Sequence, residues 1–193
     1  ERDKNDYCDS VEKWIHEIKT PLTACSLICA NGADPQKIMR ELRKADNLTD
    51  TILQYARLRS TENATTISAV DVCDTVNDAV KSQRELLIAA NISITVDGGA
   101  TVFTDGKALC FIVKQLLINC AKYCAGCHIT ITAESDTLVF KDDGVGIASY
   151  DLPRITERGF TGRNGKTAST GMGLYIVSEL CKKLSVELDI SSK

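Results

Sequence analysis

From Val11 onward, apolar residues recur as Val11, Ile15, Ile18, Leu22, Cys25 and Cys29, alternating between spacings of four and three. That rhythm is the narrow stripe of a helix packed lengthwise against other helices. The segment Asn31-Gly32-Ala33-Asp34-Pro35 then offers a glycine to stop the helix, and an aspartate and a proline suited to the N-cap and first position of the next one. The second helix repeats the stripe as Ile38, Leu42, Ala45, Leu48, Ile52 and Tyr55. Two helices with so narrow a stripe cannot bury it by themselves. A second copy of the hairpin is therefore expected to complete a four-helix bundle, making the protein a homodimer.

The helical period stops across the polar residues 60–66. This divides the chain into a helical hairpin at 1–60, a linker at 61–66 and a second domain at 67–193. In the second domain the pattern predicts a strand near 67–70, a helix over 72–89, strands near 92–96 and 102–104, and a helix over 107–123. Strands follow at 128–133 and 137–141, then a long Gly-rich loop, a helix over 171–184 and a strand at 186–190. This mixed order implies an α+β sandwich, with helices on one face of a mostly antiparallel sheet.

Composition narrows the function classes. The 193 residues are 44% hydrophobic, enough for a globular core, and the 23 Lys and Arg against 26 Asp and Glu give a net charge of −3. The basic residues are scattered, so nucleic acid is not an expected partner. No run approaches the roughly 18 uncharged apolar residues of a membrane-spanning helix, and no signal-peptide pattern opens the chain. The chain starts at Glu1 and is expected to be an excerpt whose sensing segment lies elsewhere. Nine cysteines, mostly at apolar positions of helical patterns, read as reduced thiols in a cytosol rather than as disulfides.

His16 follows the stripe position Ile15, about 100° further around the helix, so it should flank the packed stripe and face solvent. An exposed imidazole can receive a phosphoryl group. Glu17 is placed to accept a hydrogen bond from one ring nitrogen and so raise the nucleophilicity of the other, and Thr20 lies one turn away on the same face. A lone surface histidine is ordinarily only that. The stretch Trp14-Ile15-His16-Glu17-Ile18-Lys19-Thr20-Pro21-Leu22, however, resembles the H-box of sensor histidine kinases. The resemblance implies that His16 is the phospho-acceptor, Glu17 its proton acceptor, and Thr20 the residue that positions water when the partner is dephosphorylated.

Downstream, Asp142-Asp143-Gly144-Val145-Gly146 follows the apolar run Leu138-Val139-Phe140. A strand-end carboxylate can accept from an exocyclic amine such as adenine's, although an Asp-Gly pair alone is as well explained by a turn. Thr170-Gly171-Met172-Gly173-Leu174 places glycines at a helix start, where backbone N–H groups suit phosphate; a Gly-rich hinge explains it equally well. Asn119 and Lys122 share one helix face and can offer a Mg²⁺ ligand and a phosphate cation, or be plain surface polarity.

Taken in order, these segments resemble the N, G1 and G2 boxes of the GHKL ATPase fold, and Arg158-Gly159-Phe160-Thr161-Gly162 resembles its F-box. The resemblance implies an all-α helical hairpin forming a dimeric four-helix bundle, followed by an α+β sandwich of the GHKL (Bergerat) ATPase type. It implies ATP and Mg²⁺ as cofactors, with Asn119 on the metal, Lys122 on phosphate, Tyr123 beside adenine and Asp142 reading the adenine amine. Gly144, Gly146, Gly171 and Gly173 would shape the pocket, with Thr170, Met172 and Leu174 beside them. Residues 148–170 would form an ATP lid carrying Phe160, with Arg158, Arg163 and Lys166 as phosphate cations.

The activity so implied is autophosphorylation of His16, transfer to an aspartate of a response regulator, and dephosphorylation of that regulator. The setting would be the cytoplasmic portion of a membrane-anchored bacterial protein. The Gly-Phe-Thr-Gly stretch and the Trp-Ile before His16 are most similar to the small kinases paired with peptide-antibiotic export systems in Gram-positive bacteria. Asp143, Gln115 and Ser169 depart from the commoner residues of these boxes. The main rival is a metal centre at Cys120, Cys124 and Cys127 with His128 beside them, whose spacing matches a radical-SAM iron–sulfur motif. A barrel of that kind needs a longer chain.

Overall fold

The computed structural model describes residues 2–59, 65–162 and 170–192. Most of the expected linker, and Arg163, Lys166 and Ser169 of the expected lid, lie outside the described residues. Two compact units divide the chain: Glu1–Asn63 with Glu157–Ile176, and Ala64–Thr156 with Val177–Lys193. No described helix is long and apolar enough to cross a membrane.

In the first unit α1 (Arg2–Ala30) and α2 (Pro35–Arg59) form the expected hairpin. Its turn passes through Gly32 at φ 105° and Ala33 at φ 51°. Asp34 caps α2, its Oδ1 accepting from the backbone N–H groups of Gln36 at 3.0 Å and Lys37 at 3.2 Å. On α2 the predicted stripe packs, with Tyr55 buried and Ile38, Ala45, Leu48 and Ile52 half-buried, whereas on α1 the packed face is rotated from the predicted stripe toward Trp14 and Pro21. Trp14, Pro21 and Tyr55 are buried, whereas Ile15, Leu22 and Leu42 keep 48%, 46% and 43% of their surface exposed. Each helix carries two adjacent apolar stripes, and contact between two helices can cover only one of them.

The second unit opens with β1 (Ser68–Asp71), which pairs antiparallel with β3 (Thr101–Thr104). Between them the predicted helix over 72–89 is two helices, α3 (Val72–Ser82) and α4 (Arg84–Ala89), because Gln83 leaves helical geometry with ψ near 9°. β2 (Ser93–Gly98) runs parallel to β4 (His128–Glu134), which pairs antiparallel with β5 (Thr137–Asp142). Two of the three strand pairings are antiparallel, as expected, but the strands divide into two small sheets and β2 against β4 is parallel. The reason is α5 (Gly106–Tyr123), whose crossover between β2 and β4 permits parallel pairing.

Asp71 caps α3 and Asp105 caps α5, each through its carboxylate on the first-turn N–H groups. The core gathers Val72, Val76 and Ala79 of α3, Val113 and Leu117 of α5, and Ile129, Ile131 and Ala133 of β4. After a 3₁₀ turn at Leu152–Arg154 and α6 (Gly173–Lys183), residues 186–190, expected as a strand, form no ladder with any described strand. Their alternation reflects a one-sided surface: Val186, Leu188 and Ile190 line a cavity of about 390 Å³ with Leu152, Ile155 and Cys181. Alternation reports which side chains are covered. It does not supply the neighbouring N–H and C=O groups that a strand needs.

Ile131 has no exposed surface. Ile131→Ala is expected to cost the second unit roughly 2–5 kcal/mol, read as a lowered urea midpoint at unchanged slope.

Candidate active site

The placement of His16 starts from Trp14. The Trp14 indole is 1% exposed and meets the Tyr55 ring edge-on at 5.0 Å between centroids, which fixes the rotation of α1 about its axis. Two residues further on is about 200° around the helix, so His16 must point away from that contact, and it is exposed. Glu17 is half-buried. Thr20, exposed one turn along, donates its hydroxyl to the His16 carbonyl at 3.2 Å.

Tyr55 gathers more than the indole. The Arg59 and Arg158 guanidinium carbons lie 5.8 and 5.6 Å from its ring centroid, Arg59 donates to its hydroxyl at 3.1 Å, and the Tyr175 ring is 6.5 Å away. Arg158, expected as a phosphate cation, is here engaged with this ring. Beside it, Gly171 has φ 65°, and a Cβ there would run into the Phe160 carbonyl oxygen. Gly159 closes the approach by donating its N–H to the Gly171 carbonyl at 3.2 Å. Only glycine fits at 171, and the F-box and G2 segments are joined through it. Met172 is buried, Thr170, Gly173 and Leu174 are half-buried, and α6 begins at Gly173.

In the second unit the last turns of α5 carry Asn119, half-buried, then Lys122 and Tyr123, both exposed. Asn119 Nδ2 is buried without a hydrogen-bond partner. Asp142 ends β5 and Oδ1 accepts from the Gly144 N–H at 3.0 Å. Asp143 ties the same turn to β4, its Oδ1 accepting from the His128 N–H at 2.6 Å. A Cβ at Gly144 would stand 2.6 Å from Cys124 Sγ and 2.8 Å from Asp142 Oδ1, so glycine is required there by close approach. Gly146 adopts φ 69°. The expected pocket residues of this unit therefore converge on one turn and one helix end.

The cysteine cluster is a packing feature. Burial, then the Asp142 carboxylate, pushes the Cys124 thiol up to about 11 and raises Cys120 and Cys127 as well, so all three are neutral thiols near pH 7. His128 spends its ring nitrogens on Ser93 Oγ at 2.8 Å and Thr95 Oγ1 at 3.0 Å. Among the described residues no group of three His, Cys, Asp or Glu side chains is arranged to hold a metal ion.

The family described as histidine kinase-, DNA gyrase B- and HSP90-like ATPase matches residues 104–193. The sensor histidine kinase YxdK of Bacillus subtilis (strain 168) is 32% identical over 194 residues, covering 94% of this chain and 60% of YxdK. Residues 104–193 carry a domain of that ATPase family, and the chain is homologous to sensor histidine kinases. The sensor protein kinase GraS of Staphylococcus aureus (strain MRSA252) is 31% identical over 194 residues, covering 95% of this chain and 56% of GraS. The chain thus spans less than two thirds of the length of either curated relative. A solved structure of histidine kinase ThkA in complex with response regulator protein TrrA shares the fold at TM-score 0.59 and 15% identity, over 96% of this chain and 57% of that one.

Two residues have contacts that their sequence patterns do not announce. Tyr55 closes the α2 stripe opposite the single tryptophan, a pairing that spacing alone does not disclose. Cys124 stood in the spacing of a metal motif, but it touches Asp142 and Gly144. Because Trp14 is the only tryptophan, its fluorescence reports the ring cluster. Tyr55→Ala is expected to shift that emission to the red and to destabilise the hairpin by roughly 3–5 kcal/mol; an unshifted spectrum contradicts the described contact.

Proposed function

We propose that this chain binds Mg²⁺-ATP, phosphorylates its own His16 and passes the phosphoryl group to an aspartate of a response regulator. The observation that carries this is an exposed imidazole, held outward by the buried Trp14, in the same chain as the adenine-reading turn at Asp142–Gly144. One ring nitrogen of His16 attacks the γ-phosphorus in line, an N–P bond forms as the bond to the ADP oxygen breaks, and Glu17 accepts the proton from the other nitrogen. The regulator's carboxylate oxygen then attacks the same phosphorus and the N–P bond breaks. With its proton committed to the His16 carbonyl, the Thr20 hydroxyl keeps its lone pairs for a water that hydrolyses the phosphorylated regulator.

Asn119 supports this reading through both ends of its amide: the buried, unpartnered Nδ2 is a donor suited to a phosphate oxygen, and the side-chain oxygen is the kind of ligand a hard cation such as Mg²⁺ takes. Asn119 would hold the ion, which neutralises phosphate charge. Lys122, with Tyr123 beside the adenine, would add the second cation. Gly171 and Gly173 at the start of α6 would give backbone N–H groups to the phosphates.

The protein acts as a homodimer. Its exposed Ile15 and Leu22 on α1, with Met39, Leu42 and Leu53 on α2, are the stripes that a second hairpin covers to complete a four-helix bundle. The linker at 61–66 separates this hairpin from the ATP-binding domain at 67–193. The whole is the cytoplasmic portion of a membrane-anchored sensor.

Incubation with γ-labelled ATP tests the reading. The chain is expected to take up label that is acid-labile and base-stable, His16→Ala to bind nucleotide without labelling, and Asn119→Ala to lose label through loss of the metal. Persistent labelling of His16→Ala rejects the assignment. Leu22→Glu is expected to convert the dimer to a monomer in sedimentation measurements, since a carboxylate cannot be buried in the bundle seam.

A further inference from the structure

The sulfur of Cys124 sits where α5 ends and the Asp142 turn begins. Its thiol lies against the Asp142 carboxylate and the Val145 N–H, positioned to donate to the one and accept from the other, with the Cys120 thiol one turn earlier beside it. The contact is also steric. With a Gly144 Cβ site only 2.6 Å from Sγ and 2.7 Å from Cys124 Cβ, the turn backbone lies directly on this side chain. The Gly144 N–H fills a second position on the same carboxylate, at 3.0 Å.

We propose that Cys124 is a positioning and specificity-determining residue for the nucleotide base, holding the Asp142 carboxylate and the Gly144–Val145 backbone in the arrangement that selects adenine. This rests on the reading of Asp142 as the acceptor of the adenine amine. A carboxylate has about four acceptor positions. One is taken by the Gly144 N–H, and the Cys124 thiol packed against the same turn offers a second donor, an arrangement that restricts the rotation of the group. Adenine presents N–H donors to that edge, whereas guanine presents a carbonyl oxygen, which a fixed carboxylate repels and a freely rotating one can evade.

A neutral donor is essential to this role. Burial and the neighbouring carboxylate keep the thiol protonated at physiological pH, so it bonds Asp142 and does not repel it. A hydroxyl has the same donor and acceptor capacity in a smaller atom, whereas a valine side chain fills the space with none.

Autophosphorylation kinetics of the full chain with ATP and with GTP test the proposal. Cys124→Val is expected to raise the KM for ATP roughly tenfold, to narrow the ATP-to-GTP preference and to leave kcat at saturation close to that of the parent; Cys124→Ser is expected to restore both KM and preference. A structural role alone would lower the amount of active protein without moving the base preference. In the unaltered chain, which needs no variant to fold, ATP is expected to slow maleimide labelling of Cys124, followed by peptide mass spectrometry, more than GTP does. Parent-like KM and preference in Cys124→Val, a Cys124→Ser that fails as valine does, or equal labelling with both nucleotides overturns the proposal. Asp142→Asn separates the two readings. If it binds ATP normally, the adenine assignment of Asp142 falls and the proposal with it. If it is weakened while Cys124→Val is not, only the role of Cys124 falls.

Discussion

A tryptophan buried two residues ahead of a histidine sets what the hairpin can do. Sealing the Trp14 ring against Tyr55 removes roughly 150–250 Å² from water, which at about 25 cal/mol per Å² is worth some 4–6 kcal/mol. That exceeds the roughly 1–3 kcal/mol lost because the indole Nε1–H is buried without a partner. The burial therefore wins, and α1 cannot rotate to hide His16 without undoing it. The same lock leaves the second apolar stripe, through Ile15 and Leu22, facing outward. One ring contact thus separates the duties of three faces of a single helix: Trp14 inward, His16 to solvent, and Ile15 with Leu22 toward another surface.

In the second unit α5 has the comparable position. Val113 and Leu117 are sunk in the core against β4, and Asp105 fixes the start of the helix, so its register relative to the sheet is determined over its whole length. Chemistry-bearing residues appear only where that burial fades, at Asn119, Lys122 and Tyr123. Asp142 and Asp143 lie at the end of β5, where the ladder with β4 runs out and side chains are released from sheet geometry. Asp143, which departs from the family's commoner residue, gives its carboxylate to the His128 backbone, so it anchors the turn while its neighbour Asp142 remains available. Rigid elements supply positions, and their ends supply reactive groups.

How much of this was legible in the sequence depends on what physical signal each feature leaves. The hairpin turn, with its aspartate cap and proline, was readable because capping is chemistry between neighbours. The strands β2, β4 and β5 and the helix α5 were readable because long periodic burial leaves a long periodic pattern. Which stripe of α1 faces α2 was not, because Trp14 and Ile15 are adjacent and both apolar, and only the partner surface decides between them. Nor was the direction of β2 against β4, since parallel and antiparallel strands bury the same alternation. Residues 186–190 failed for a related reason: their alternation is satisfied by one side of a cavity and no ladder accompanies it. At the site, motifs marked Asn119 and Asp142, but Cys124 fell only in a metal-motif spacing, and its position beneath Gly144 is what distinguishes it from the other thiols.

The two amides of α5 show how function can be separated from architecture without appeal to motif. Gln115 is 6% exposed and has polar partners, so the helix can satisfy a buried amide where folding alone is at stake. One turn later Asn119 presents an Nδ2 that is equally cut off from solvent and has none. A buried unsatisfied amide costs roughly 1–3 kcal/mol, and a leucine or alanine at 119 would remove the penalty and suit the apolar helix. Among the described residues of the second unit, that loss falls on Asn119, beside the exposed Lys122 and at the same helix end that holds Cys124. Stability gives no reason for an asparagine there. A ligand that completes its hydrogen bonding or coordination does, and in this way the most costly polar group in the second unit's interior marks where binding energy is recovered.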